Sequence, residues 1–278
     1  MNSNSLFDKA LSLGERGNHE EAARLFALLA SKTDNLFDKA GILLNVAHEF
    51  KELRDFQHAR IQLEVVHELL SVDPSVSLAS IDEENRRGLL IGAALEDARI
   101  WAAEEKVTEA IEKLNSLLAD YQLELAKPAF ESVKQLIQRE RAFLLTDIGS
   151  CSEALPILED LDATEPHDRW ILFYLGYCYM GAARYDQAKT ILQKALQLGL
   201  SPDFEGRAHC ALGVSLYGLK DYQRAKIEFE KGVKTASKRY IREAGIWRWL
   251  QQTCIALGLG AEAQHYAELV RLDKGAGS

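Results

Sequence analysis

Proline, cysteine and methionine are scarce: 278 residues hold five prolines, four cysteines and two methionines. With so few chain breakers, and no run of alternating β-branched residues, strands are not expected and long helices are. No apolar run approaches the ~18 residues of a membrane-spanning helix, so no membrane partner is expected. The opening stretch MNSNSLFDKA has neither a basic start nor an apolar core, so no signal peptide is expected there. Cys151, Cys178, Cys210 and Cys254 lie far apart with no CxxC pair. That spacing reads as separate thiols in a reducing, cytoplasmic compartment rather than a disulfide framework or a zinc site. The seven histidines are scattered, without HExxH, and no GxxxxGK, GxGxxG or GxSxG occurs. No catalytic residue, metal or cofactor is therefore expected, and the chain does not read as an enzyme.

What is present is alanine, leucine and charge. Hydrophobic residues make up 47% and charged residues 27%, ordinary proportions for a folded soluble chain. The charge is polarised. Residues 169–278 carry 16 Lys+Arg against 10 Asp+Glu, whereas residues 1–168 carry 17 against 32. Such a split can steer a charged partner, or simply reflect two solvated faces.

A repeat runs through the whole length. Seven alanines, Ala22, Ala59, Ala110, Ala154, Ala188, Ala225 and Ala263, each follow a polar or glycine-containing turn, at spacings of 37, 51, 44, 34, 37 and 38 residues. Four residues later stand Phe26, Leu63, Leu114, Leu158, Leu192, Phe229 and, less typically, Ala267. Twelve residues earlier stand Ala10, Ala47, Ala98, Ala142, Gly176, Gly213 and, as the exception, Gln251. Antiparallel helices approach closely where small residues meet and larger apolar groups lock around them, which assigns the Gly176/Ala188 and Gly213/Ala225 pairs to helix crossings.

These residues resemble the tetratricopeptide repeat family. The match is best over 170–202, and "ALGVSLYGLKDYQRAKIEFEKG" in the following unit is close to the family pattern. The resemblance implies an all-α solenoid of about seven helix–turn–helix units in a right-handed superhelix. It implies one domain over 1–273, with acidic, partly degenerate repeats to 168, well-matched ones after it, and a flexible tail at 274–278. Departures cluster between Val72 and Ala129, where longer helices are expected, one of them reading IDEENRRGLLIGAALEDARIWAAEE. Pro74 and Pro128 mark helix boundaries. A joint is expected near 162–169, where the charge changes sign.

On a helical wheel the first helix of the best unit separates two stripes. Leu172, Leu175, Gly176 and Tyr179 face the crossing; Trp170, Phe173, Tyr177 and Met180 lie well over 90° away. In the family this second stripe lines the inner, ligand-touching surface. Carried over by position, it nominates Arg139, Phe143, Trp170, Phe173, Tyr177, Arg207, Tyr217, Arg248 and Gln252 as a groove of aromatics and positive charge. Aromatic and Arg residues dominate protein interfaces, so the expected ligand is a peptide or protein segment with apolar or aromatic anchors and acidic flanks. The competing reading is that these side chains only complete the core. The carboxylate grip of some tetratricopeptide co-chaperones is not expected, because its asparagine is missing from the well-matched units. Asp97 and Arg141 share a core-facing slot of consecutive units, as an interior pair or through a slipped register. The basic run KGVKTASKRYIR reads as a solvated turn rather than a nucleic-acid patch, and His209 as a satisfied interior histidine. The function expected is that of an interaction scaffold or adaptor. The alternative is a regulator that senses a peptide or small ligand by changing the shape of its superhelix. Self-association through the uncapped last unit stays open.

Overall fold

Each turn between paired helices contains one residue in left-handed backbone conformation, five positions before the anchor alanine: Gly17, Arg54, Glu105, Gly149, Ala183, Lys220 and Gly258. That constant offset shows how the repeat is built, since a left-handed residue ends one helix and redirects the chain into the next. The computed structural model describes residues 3–71 and 80–275, and within these the chain is helical, with no strand. Pro74 and the last three residues of the expected tail lie outside the described residues; Lys274 and Gly275 end the final helix.

Residues 1–144 and 145–278 form two compact units. The division falls inside one helix, at Leu144–Leu145, rather than at 162–169. The N-terminal unit comprises α1 (Ser3–Glu15), α2 (His19–Ser31), α3 (Leu36–Glu52), α4 (Phe56–Leu70), α5 (Ser80–Ala103), α6 (Val107–Asp120), the short α7 (Gln122–Leu125), a 3-10 turn (Pro128–Phe130) and most of α8 (Glu131–Asp147). Helices pack in sequential antiparallel pairs, α1 on α2, α3 on α4 and α5 on α6, and α3 also touches α2 and α5. The C-terminal unit continues with α9 (Cys151–Thr164), α10 (Arg169–Gly181), α11 (Tyr185–Gln197), α12 (Pro202–Gly218), α13 (Tyr222–Thr235), α14 (Lys238–Glu243), α15 (Ile246–Ala256) and α16 (Gly260–Gly275). Its pairs are α10 on α11, α12 on α13 and α15 on α16.

The anchors are core. Ala22, Ala59, Ala110, Ala154, Ala188 and Ala225 are 0% exposed, and Ala263 is 7% exposed at the end of the array. Side chains four residues on, from Phe26 to Phe229, are buried as well, and Tyr179 is buried with its hydroxyl on Glu159. The crossing differs in one detail from small-on-small contact. A Cβ at Gly176 would lie 2.7 Å from Leu192, and one at Gly213 would lie 2.7 Å from Phe229. Each glycine therefore receives the large residue one turn beyond the anchor alanine.

The irregular middle has two sources. The expected long helix is present as the 24-residue α5, whereas the extra length before Ala154 is taken up by α7 and the 3-10 turn. Asp97 and Arg141 do not pair. Asp97 binds Lys113 at 2.8 Å, and the Arg141 guanidinium donates to Gln138. The basic run is only partly a turn: after α13 it folds into α14, capped by the Ser237 hydroxyl, before the left-handed Gly245 starts α15. His209 is satisfied by Glu228 at 2.6 Å.

Candidate functional site

The nominated groove residues are largely occupied with one another. Phe173 is 1% exposed and belongs to the core, a correction to its place on an open surface. The side chain of Phe204 explains it. This ring stands edge-on to Trp170 at 4.9 Å and to Phe173 at 5.4 Å, arriving from α12 to fill the space beside α10. Arg207 is caged. Its guanidinium lies over Phe173, Phe204 and Tyr240, 4.8 to 5.7 Å from the ring centroids, with Asp147 at 3.7 Å. Burial raises the pKa of the neighbouring Tyr177 and Tyr240. Tyr217 packs on Tyr222 and Trp249. The cavity left beside Phe173, Tyr177 and Arg207 is about 30 Å³, room for a water molecule. Of the nominated residues, Arg248 and Gln252 are exposed, while Trp170, Tyr177, Arg207 and Tyr217 are half-buried. Arg139 and Phe143 are half-buried on α8, in the N-terminal unit.

The open space lies elsewhere, in the N-terminal unit. A cleft of about 970 Å³ is bounded by Phe7, Phe37, Ile42, Leu89 and Phe130, among others, with Asp38 and Glu84 also in its lining. A second cleft, of about 520 Å³, is bounded by Glu15, His19, His48, Glu49, Glu96 and Arg99. Asn45 lines both and stands between them. Glycines open the walls: Gly41 and Gly88 line the first cleft, Gly14 and Gly92 the second. A Cβ at Gly14 would collide with the Glu49 carboxylate, and one at Gly92 would sit 3.2 Å from Leu44.

The polar end is rich in carboxylates held in fixed positions. Glu49 is 5% exposed and meets His19 Nδ1 at 2.7 Å. Glu96 is 6% exposed, with His48 Nδ1 at 3.2 Å, Lys51 Nζ at 3.3 Å and Arg99 at 3.3 Å. Burial alone would raise the Glu96 pKa; the His48 hydrogen bond and the Lys51, His48 and Arg99 charges outweigh it and hold it at about 2. Arg99 is shared with Glu140 at 2.8 Å. Glu52 is also lowered: burial opposes ionisation, and Lys51 and His48 override it. An apolar, aromatic-walled cleft thus neighbours a carboxylate-rich one, in which Glu52 and Glu96 are held ionised at neutral pH.

These residues were legible by the rule that nominated Trp170 and Tyr177. The same offsets from the anchors Ala22 and Ala59 fall on Phe7, Leu11 and Gly14, and on Gly41, Leu44 and His48, all of which line the two clefts. The stripe is common to every unit; what differs is whether a neighbouring side chain fills it.

Tetratricopeptide repeat models match residues 149–201 and 206–239. No curated protein sequence matches the chain significantly. Among solved structures, 99% of the chain superposes at TM-score 0.70 and 15% identity on a signal transduction ATPase with numerous domains, which has a tetratricopeptide repeat sensor, from Pyrococcus horikoshii. It covers 42% of that chain. The Cut9–Hcn1 assembly of the APC/C gives TM-score 0.62 and 16% identity, with 95% of this chain and 45% of that one covered. PilF of Pseudomonas aeruginosa gives TM-score 0.58 and 17% identity, with 87% and 95% covered. The chain spans less than half the length of the first two. No described helix is long and apolar enough to cross a membrane. Tetratricopeptide repeats generally serve protein–protein interaction and are usually non-catalytic. From the seven-fold turn geometry, the buried anchors and these matches, the chain is a tetratricopeptide repeat protein.

Proposed function

We propose that the chain is an adaptor that binds a segment of a partner protein in the double cleft of its N-terminal unit, and that this segment carries an apolar or aromatic anchor followed by basic residues. The observation that carries this reading is the placement of Asn45 between an apolar cleft of about 970 Å³ and a carboxylate-lined one of about 520 Å³. The two clefts flank Asn45 on one unit, an elongated arrangement that suits an extended or helical peptide. Glu15 and Glu52, the exposed carboxylates of the second cleft, favour a cationic flank. This replaces the expectation of acidic flanks, since Arg207 is already enclosed by rings and by Asp147.

The test is selection of a displayed random-peptide library on the whole chain, followed by fluorescence anisotropy on the enriched peptides. Apolar–basic peptides should be enriched and should lose at least about tenfold in affinity, ~1.4 kcal/mol, in Ile42→Glu or Asn45→Ala. Trp170→Ala and Arg248→Glu should leave binding unchanged. Enrichment of acidic peptides, or loss confined to the Trp170 and Arg248 variants, would return the site to the C-terminal unit. The Pyrococcus horikoshii protein contains a repeat sensor; a sensing role here would require the bound peptide to change the small-angle scattering profile.

A further inference from the structure

Two thiols that the sequence separates by 26 residues meet in the C-terminal unit. Cys151 is the first residue of α9 and partly exposed, and its thiol lies beside that of Cys178 on α10. Its sulfur lies against Gly181, where a Cβ would come within 3.4 Å of it. Gly181 stands one turn after Cys178 on the same helix face, so the missing side chain leaves room for the Cys151 sulfur there. Cys178 is fully buried, its sulfur 3.2 Å from the Thr146 hydroxyl. Cys210 and Cys254 are buried free thiols.

We propose that Cys151 and Cys178 form an oxidisable dithiol, in which Cys151 is the attacking thiolate and Cys178 the resolving thiol for a hydroperoxide. The environments divide the roles. Cys151 is partly exposed at the helix start, whereas Cys178 is fully buried. The neighbouring Cys178 thiol lowers Cys151 to about 7, and Cys151 together with burial raises Cys178. A partly exposed thiolate at a helix N-terminus is the reactive kind, and a buried neighbour shielded from reagent is suited only to the second step. In the first step the Cys151 sulfur attacks a peroxide oxygen and the O–O bond breaks. The departing oxygen takes up a proton as alcohol or water, leaving a sulfenic acid on Cys151. The Cys178 sulfur then attacks the sulfenic sulfur; the S–S bond forms, the S–O bond breaks, and hydroxide leaves with the Cys178 proton as water. Two thiols and one hydroperoxide give one disulfide, one alcohol or water, and one further water. The bridge would tie the start of α9 to α10.

The deciding experiment treats the reduced full chain with equimolar hydrogen peroxide, alkylates the remaining thiols with iodoacetamide and maps the peptides by mass spectrometry. The expected product is a Cys151–Cys178 linked peptide lacking two hydrogens, formed at least about tenfold faster than either Cys210 or Cys254 is lost. In Cys178→Ser, Cys151 should accumulate as a sulfenic acid captured by dimedone. In Cys151→Ser, Cys178 should stay reduced. Absence of the linked peptide from the unaltered chain, or equal oxidation of all four cysteines, would overturn the proposal. That measurement needs no variant to fold.

Discussion

In the N-terminal unit one ring, Trp101, is surrounded by three cations: Arg60 at 5.0 Å, Lys106 at 4.6 Å and Lys113 at 6.0 Å from its centroid. In the C-terminal unit the arrangement is inverted, and one cation, Arg207, is surrounded by Phe173, Phe204 and Tyr240. The first cluster is bounded by carboxylates, with Arg60 and Lys106 on Glu104 and Lys113 on Asp97. The second has the single carboxylate of Asp147 beside it. The same repeat has thus been filled in two ways. The N-terminal unit keeps open clefts, lined by neither Trp101 nor its three cations. Interlocked rings leave almost no gap, and the equivalent stripe of the C-terminal unit is closed. The helix crossings follow the same division: Ala10, Ala47 and Ala98 stand where Gly176 and Gly213 let Leu192 and Phe229 press in.

This comparison can be broken at specific residues. The largest effect is expected at Gly206, where a Cβ would run into the backbone nitrogen of Ala236. Gly206→Ala should destabilise the C-terminal unit by about 3 kcal/mol in urea unfolding, because backbone cannot yield as a side chain can. Ala40→Gly on α3, which removes a methyl and adds no clash, should cost only about 1 kcal/mol plus a small packing loss. Equal costs would show that the two units are packed alike.

Next comes the acid sensitivity of the N-terminal unit. Glu96 is held at about 2 in the folded state against an ordinary 4.5. A depressed folded value means the stabilisation, about 3 kcal/mol, is complete above pH ~4.5 and fades as pH falls toward 2. Acid unfolding should therefore show this dependence in the unaltered chain, and Glu96→Gln should flatten it. An unchanged profile would remove the buried ion network from the account of this unit.

A smaller difference is expected between the two aromatic clusters. Arg207→Ala should lower stability by about 2 kcal/mol, through lost ring contacts and a vacated cage. Trp101→Ala should cost about 1 kcal/mol, since the cations around it keep their carboxylates. Thermal unfolding of both variants would check the order. Smallest are the turns. Ala183 and Lys220 are left-handed at φ 57° and 64°, and replacing either by Gly should stabilise by up to about 1 kcal/mol. Gly17→Ala, at φ 80° with open space around its Cβ position, should destabilise by a similar amount.

The sequence by itself determined the paired helices and their anchor alanines, because these follow from spacing along one chain segment. Ala188 and Leu192 are one turn apart on any helix, and an alanine every 34 to 51 residues needs no knowledge of neighbours. The stripe opposite the crossing was equally legible, and it holds Phe7, Gly41 and His48 as well as Trp170 and Tyr177. Whether that stripe is open was decided only by the tertiary structure. Phe204 reaches Trp170 and Phe173 from another helix, and Phe130 arrives at the cleft wall from a 3-10 turn that no repeat spacing places. The approach of Cys151 to α10 beside Cys178 has the same origin, and all four cysteines are free thiols, as their spacing suggested. Periodicity fixes the direction in which a side chain leaves its own helix. What it meets there belongs to another part of the chain, and packing sets that meeting.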